Sequence, residues 1–249
     1  MGEYGPATFG DVTADHYDDW VTLSTPERET RAAVDFLAGL APGGRALELG
    51  IGTGRVGLPL AERDLEVHGI EASEKMIGKL REKPGGATFP VHVGDFADVA
   101  APGEFDLIFI VLNTIFSLTT QDEQIRCLTN VASKLAPNGI LVSEALVPDP
   151  ARFDRNQRVN ASQIESDRIK LDISRRDPLS QVITSSHVVI GPHDTTMHTV
   201  KARHVSPAEH DLMCRIAGLR LRDRFGGWRG EPFTATSTKH ISVYVKTDD

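Results

Sequence analysis

Short apolar runs alternate with amphipathic segments over the first 145 residues of the chain. The apolar runs lie at 45–49, 66–70, 89–93, 105–111 and 140–145. The run at 105–111 is almost wholly apolar, which is typical of a strand that is covered on both faces of its sheet. Segments with helical periodicity lie between the runs, at 26–40, 55–62, 74–83 and 120–135. Strands that alternate with helices in this way predict a parallel, doubly wound α/β sheet.

The pattern changes after residue 148, where polar and apolar positions alternate over three consecutive segments. These segments lie at 168–176, 181–190 and 197–205, and Asp177-Pro178 and Gly191-Pro192 separate them as turns. Alternation with period two predicts antiparallel strands. A helix that begins after Ser206 and two more strands, at 219–225 and 241–245, complete the chain.

The sequence therefore predicts one domain over residues 1–249 with a Rossmann-like α/β fold. We expect a doubly wound, mostly parallel, seven-stranded sheet, with an inserted antiparallel β flap at 148–205 and an N-terminal lid segment at 1–25. Two capping boxes, Thr120 with Glu123 and Ser206 with Glu209, are expected to begin the helices that follow them.

Composition and charge narrow the range of partners. The 249 residues carry a formal net charge of −8, which argues against a nucleic acid or an anionic membrane as partner. The two cysteines lie far apart in sequence, and we find neither an apolar run of 18 residues nor a signal peptide. We therefore expect a cytoplasmic protein that is a monomer or a homodimer.

A glycine-rich turn carries the strongest chemical signal. The sequence from Leu47 reads L-E-L-G-I-G-T-G and joins a predicted strand to a helix, so a ligand can approach the backbone closely. Glu71 follows the next strand, where a carboxylate can accept both hydroxyls of an adenosine ribose. A dinucleotide fingerprint would need a third glycine at the position of Arg55, whereas S-adenosylmethionine (SAM) carries no phosphate and has no such need.

These residues resemble the successive motifs of the class I SAM-dependent methyltransferases, over roughly residues 32–145. The resemblance implies that Glu48 and the glycine turn lie by the methionine moiety, and that Glu71 holds the ribose. It also implies that Asp95 meets the adenine amino group, beside the ring of Phe96. The residues expected to bind the cofactor are Tyr17, Glu48, Gly50, Gly52, Gly54, Glu71, Asp95, Phe96 and Leu112.

The substrate side of the site is expected near the segment at 112–114, which matches the family's methyl-transfer centre. Asn113 and Phe116 are candidates for substrate contact, and Trp228 either walls the pocket or covers the sheet edge. His204 is a candidate base. The histidines of the flap do not form a metal-ligand pattern, so we expect no metal.

The lid resembles that of the amino-sugar and glycine N-methyltransferases more loosely. In that group a tyrosine in an early Tyr-Asp pair closes over SAM, and Tyr17-Asp18 is the matching pair here. A second interpretation is that Tyr17 and Trp20 only pack a helix on the core.

We therefore expect transfer of a methyl group from SAM to a nitrogen, oxygen or carbon nucleophile of a small metabolite. Three alternatives stay open: a cyclisation or pericyclic step with SAM as a structural group, a nucleic-acid methyltransferase, and a non-enzymatic binding protein. The nucleic-acid class resembles a family with an Asn/Asp-Pro-Pro-aromatic motif, whereas this chain has Asn-Thr-Ile-Phe at 113–116.

Overall fold

A seven-stranded sheet forms the centre of the protein in the computed structural model, which describes residues 4–247. Its strands are β1 (Arg45–Leu49), β2 (Glu66–Glu71), β3 (Val91–Val93), β4 (Phe105–Ile110), β5 (Leu135–Leu146), β10 (Leu219–Phe225) and β11 (Lys239–Lys246). Their order is β10-β11-β5-β4-β1-β2-β3; β11 runs antiparallel to both of its neighbours, β10 and β5, and the other pairs are parallel. The predicted fold class is confirmed.

Helices cover both faces of this sheet. They are α1 (Thr8–Thr13), α2 (Tyr17–Ser24), α3 (Glu27–Leu40), α4 (Gly57–Ala61), α5 (Glu74–Arg81), α6 (Gln121–Lys134) and α7 (Pro207–Ile216). In β4, Phe105 and Ile108 pack with α6 and α7, while Leu107 and Phe109 pack with α3 and α4. The apolar run at 105–111 is therefore explained by burial on both faces.

One of the two predicted capping boxes forms completely. Ser73 accepts a hydrogen bond from the Met76 N–H at the start of α5, and Thr120 with Glu123 forms the complete capping box of α6. The box predicted at α7 is only half formed. Ser206 accepts from the Glu209 N–H, but the Glu209 carboxylate accepts from Arg203 instead of returning to the cap, because a buried guanidinium needs a charged partner.

The flap is an antiparallel sheet of four strands, one more than the sequence predicted. It consists of β6 (Gln157–Ile164), β7 (Ile169–Arg176), β8 (Val182–Ile190) and β9 (Thr195–Arg203), paired in that order. The missed strand, β6, has no buried residue, so its sequence shows no apolar stripe. No helix within residues 4–247 is long and apolar enough to cross a membrane.

Candidate active site

A cavity opens at the carboxyl ends of β1, β2 and β4, between the N-terminal helices and the last strand of the flap. Its solvent-accessible volume is about 200 Å³. Open α/β sheets bind their ligands at this edge. Nine residues selected from the sequence line the cavity: Tyr17, Gly50, Gly52, Glu71, Phe96, Leu112, Asn113, Phe116 and His204.

Three glycines let the turn after β1 pass close to this cavity. Gly50, Gly52 and Gly54 have φ angles of 67°, 56° and 80°, in the left-handed region that favours glycine. A Cβ on Gly50 would lie 2.5 Å from Cγ2 of Thr114. Gly54 does not line the cavity, and a Cβ there would lie 2.8 Å from Leu58, so this glycine shapes the turn from outside.

Two backbone amides hold the Glu71 carboxylate at the cavity wall. Oε2 accepts from the Gly52 N–H at 2.9 Å, and Oε1 accepts from the Ser73 N–H at 2.9 Å. Burial raises the pKa of Glu71, and the amide hydrogen bonds oppose that rise. The glycine turn and the start of α5 therefore fix the direction of this carboxylate, which suits it to a pair of ribose hydroxyls.

Glu48 lies buried beneath the turn and does not line the cavity. Its side chain is 3% exposed, and Oε2 has no hydrogen-bond partner within the described residues. Gly57 makes room for it, because a Cβ there would lie 2.7 Å from Oε2. Burial raises the pKa of Glu48 to about 8, against the opposing charge of Arg55. The result is a largely protonated acid that lies beneath the turn and outside the cavity wall.

Asp95 and Phe96 follow β3 and differ in how they face the cavity. Phe96 lines it, whereas Asp95 is not part of the wall. The Asp95 Oδ1 accepts from the Ala97 N–H at 2.9 Å, and Oδ2 lies 3.2 Å from Nη2 of Arg126. Of these two residues, Phe96 is therefore the one that a ligand in the cavity can contact.

Leu112 and Asn113 form a strained segment of the cavity wall. Both have left-handed φ angles, 52° and 65°, which cost about 1–3 kcal/mol for each non-glycine residue. Glu144 on β5 compensates, since its Oε2 accepts from the Leu112 N–H at 2.9 Å and its backbone oxygen accepts from the Asn113 N–H at 3.3 Å. Asn113 Oδ1 in turn accepts from the Leu146 N–H at 2.6 Å.

Glu144 is a site residue that the sequence analysis missed. Its side chain is buried, and Oε1 accepts from Nε1 of Trp228 and from Nζ of Lys239, both at 3.1 Å. The available signal was a glutamate near the end of the apolar run at 140–145. The same contacts place Trp228 away from the cavity, where it packs on Phe36 with ring centroids 5.6 Å apart. Of the two interpretations of Trp228, the structure favours the one in which it covers the sheet.

The N-terminal helices bring aromatic side chains over the glycine turn. Tyr17 lies between Phe9 and Trp20, with ring centroids at 6.5 and 6.0 Å, and all three line the cavity. Burial raises the pKa of Tyr17 to about 12, so its phenol is neutral. Asp18 ties α2 to the turn, since Thr53 Oγ1 donates to its Oδ1 at 2.6 Å. The first three residues of the expected lid, 1–3, lie outside the described residues.

His204 reaches the cavity from the end of the flap. Its ring lies 4.8 Å from that of Phe116, tilted by 30°. Burial lowers the pKa of His204 to about 4, and the charges of Arg152 and Arg176 lower it further in the same direction. The imidazole is therefore neutral at physiological pH, and it holds a proton too weakly to be an effective base for an ammonium group.

The other flap histidines lie apart from His204. His187 Nδ1 lies 2.7 Å from Oδ1 of Asp172, and its ring stacks on His198 with centroids 5.1 Å apart. Over residues 4–247, no three side chains of His, Cys, Asp or Glu are arranged to hold a metal ion.

These features fit the parts of SAM. The backbone of the glycine turn suits its polar amino-acid end, and Glu71 suits its ribose. Phe96 offers a flat apolar face to adenine. The Glu71 carboxylate in the cavity wall also suits a ligand with a positively charged sulfur.

Comparisons with known proteins agree with this geometry. A family model described as a methyltransferase domain matches residues 46–139. The chain is 30% identical over 241 residues to the cypemycin N-terminal methyltransferase of a Streptomyces species, a match that covers 96% of this chain and 97% of that protein.

Solved structures extend the similarity to the flap and the N-terminal helices. The CcbJ methyltransferase from Streptomyces caelestis superposes with a TM-score of 0.91 at 36% identity, over 98% of this chain and all of that one. A SAM-bound amino pentose methyltransferase from Micromonospora echinaspora shares the fold, with a TM-score of 0.71 at 21% identity over 93% of this chain and 96% of that one. These similarities do not favour a non-methylating role for SAM.

Proposed function

The chain belongs to the class I SAM-dependent methyltransferases, and from that membership we propose that it methylates the nitrogen of an amine carried by a small metabolite. The observation that carries the proposal is the neutral imidazole of His204, which lies against Phe116 in the wall of the cavity. The Phe116 N–H donates to the backbone oxygen of Asn113 at 2.8 Å, so Phe116 and His204 lie beside the strained segment at 112–113. The names of the relatives, an N-terminal methyltransferase and an amino pentose methyltransferase, support an amine acceptor.

His204 acts in this proposal as a hydrogen-bond acceptor for the amine. When bound, SAM supplies a methyl group on a positively charged sulfur; the acceptor nitrogen forms the new C–N bond as the C–S bond breaks, leaving S-adenosylhomocysteine. An alkylammonium has a pKa of about 10, so His204 does not deprotonate it. The neutral ring instead accepts from the N–H of the free amine and orients its lone pair, while Phe116 offers a π face to the cationic product.

The N-terminal segment and the flap act as the cover that excludes water. Asp11 accepts from Ser73 Oγ at 2.7 Å, and Asp18 accepts from Thr53 Oγ1 at 2.6 Å, so each N-terminal helix is tied to a turn beside the cofactor. Gly10 allows the close approach, because a Cβ there would lie 2.4 Å from Cβ of Ser73. Water exclusion strengthens the electrostatic interactions within the site.

The test is a panel of primary and secondary amines with matched alcohols, incubated with SAM and the enzyme. We expect amines to gain one methyl group, with one S-adenosylhomocysteine formed for each product. His204→Phe should lower kcat while leaving S-adenosylhomocysteine affinity unchanged. Methylation of the alcohols but not of the amines would overturn the proposal.

A further inference from the structure

One face of the flap carries both cavity-lining residues and the basic residue Arg176. Val200 and Ala202 on β9 line the cavity wall. Ala202 pairs with Ile183 on β8, which pairs with Arg176 on β7, so these three side chains share one face of the sheet. Neighbouring strands lie about 4.8 Å apart, which places Arg176 about 10 Å from the cavity wall, a distance that an arginine side chain can largely span.

Arg152 reaches the same region from the other side. It ends the short turn Pro150–Arg152, six residues after Leu146, which lines the cavity. Both guanidinium groups lie close enough to His204 to lower its pKa. Neither arginine is part of the cavity wall, but the charges of both act on His204, which is.

Neither guanidinium has a carboxylate partner in the part of the chain that the structure describes. Arg203, at the end of the last flap strand, differs from them because it forms an ion pair with Glu209. Two acids near Arg176 in sequence are engaged elsewhere, because Asp172 pairs with His187 and Asp177 accepts from the Leu179 N–H. The two guanidinium groups thus keep their donors available to a ligand.

The charge of the flap differs from that of the rest of the protein. Residues 148–205 contain nine Lys and Arg and seven Asp and Glu, a net charge of +2. The whole chain carries −8, so the remaining residues carry −10. A segment with a net positive charge on an acidic protein favours an anionic ligand beside it.

We propose that Arg176 and Arg152 form an anion subsite that binds an acidic group, a carboxylate or a phosphate, on the acceptor. This inference rests on the proposed function, because it assigns a second group to the same acceptor molecule. Arginine suits that role, since its planar fork pairs with both oxygens of such a group.

Matched pairs of amines test the subsite without turnover. Isothermal calorimetry on the protein loaded with S-adenosylhomocysteine compares ω-amino acids of three to eight carbons with their carboxamides, and phosphoethanolamine with ethanolamine. We expect the acidic member of at least one pair to bind about tenfold tighter, and Arg176→Gln or Arg152→Gln to remove that preference. The carboxylate and phosphate arms decide which acid is preferred.

Arg175→Gln is the matched control, because Arg175 precedes Arg176 on β7 and points to the opposite, exposed face. That variant should keep the preference. Equal binding within every pair, binding of no pair by the wild type, or a preference that survives both Arg176→Gln and Arg152→Gln would overturn the subsite. A preference without methylation of any amine would leave the subsite standing and overturn the proposed function alone.

Discussion

Replacing Glu71 by glutamine tests how the protein holds the cofactor. The carboxylate accepts from the Gly52 and Ser73 amides with its two oxygens, and its remaining lone pairs face the cavity. Glutamine keeps the shape but has one acceptor oxygen, so one amide N–H loses its partner at a cost of about 1–3 kcal/mol. The charge-assisted contact to a ribose hydroxyl is worth about 1.5–3 kcal/mol.

Since 1.4 kcal/mol is a factor of ten, Glu71→Gln should raise the Kd for S-adenosylhomocysteine about 10- to 100-fold, as measured by calorimetry. The wild-type affinity should fall as the pH drops through the raised pKa of Glu71, because the protonated acid no longer accepts on both oxygens. The variant should show a flatter profile over that range.

Adenosine and methionine, used as fragments, separate ribose binding from general damage to the turn. Adenosine should lose affinity by the same factor as S-adenosylhomocysteine, whereas methionine should not. Glu74→Gln is the control, since Glu74 is exposed three residues later and carries the same charge. If Glu71→Gln bound within twofold of the wild type, the ribose role of Glu71 would be wrong.

Three further predictions concern pH and the lid. The pKa of Glu48 is raised to about 8 in the folded protein, so the ligand-free fold loses stability as the pH rises from about 4.5 to 8. Glu48→Gln removes this titration. The variant should therefore raise the Tm relative to wild type at pH 8.5 more than at pH 5. The pKa of buried His210 is lowered to about 4, and neither ring nitrogen has a hydrogen-bond partner in the described residues. The free energy of unfolding should therefore fall as the pH drops from about 6.5 toward 4. His210→Phe should reduce that loss, as measured by urea unfolding at pH 5. Deleting the residues before Pro26 should abolish methyl transfer in the product assay while circular dichroism shows an intact core; turnover at the wild-type rate would contradict the lid.

The cofactor side of the site could be predicted mainly from motifs in which the residues lie close together in sequence. The glycine turn, Glu71 and Phe96 are each encoded within a few residues of a strand end, and parallel topology brings those ends together. The side chains of β4 pack into two hydrophobic clusters, one on each face of the sheet, and the apolar run at 105–111 predicted this burial on both faces.

Contacts between distant segments were not visible in the sequence. Trp228 donates to Glu144 across 84 positions, and neither residue stands in a local motif that predicts the other. Strand β6 was missed because its residues remain partly or fully exposed. The Glu209 carboxylate accepts a hydrogen bond from Arg203 instead of completing its predicted capping box, and no local sequence pattern encodes this tertiary contact.

Transfer of a labelled methyl group tests the central claim most directly. The enzyme is incubated with SAM that carries a ¹³C-methyl group and with the best amine of the panel, and the product is examined by ¹H–¹³C correlation NMR. The account predicts a single new N-methyl signal that grows in step with S-adenosylhomocysteine and grows more slowly with Glu71→Ala at the same subsaturating SAM concentration. A labelled methyl on oxygen or carbon, or an acceptor product that carries no label, would contradict it.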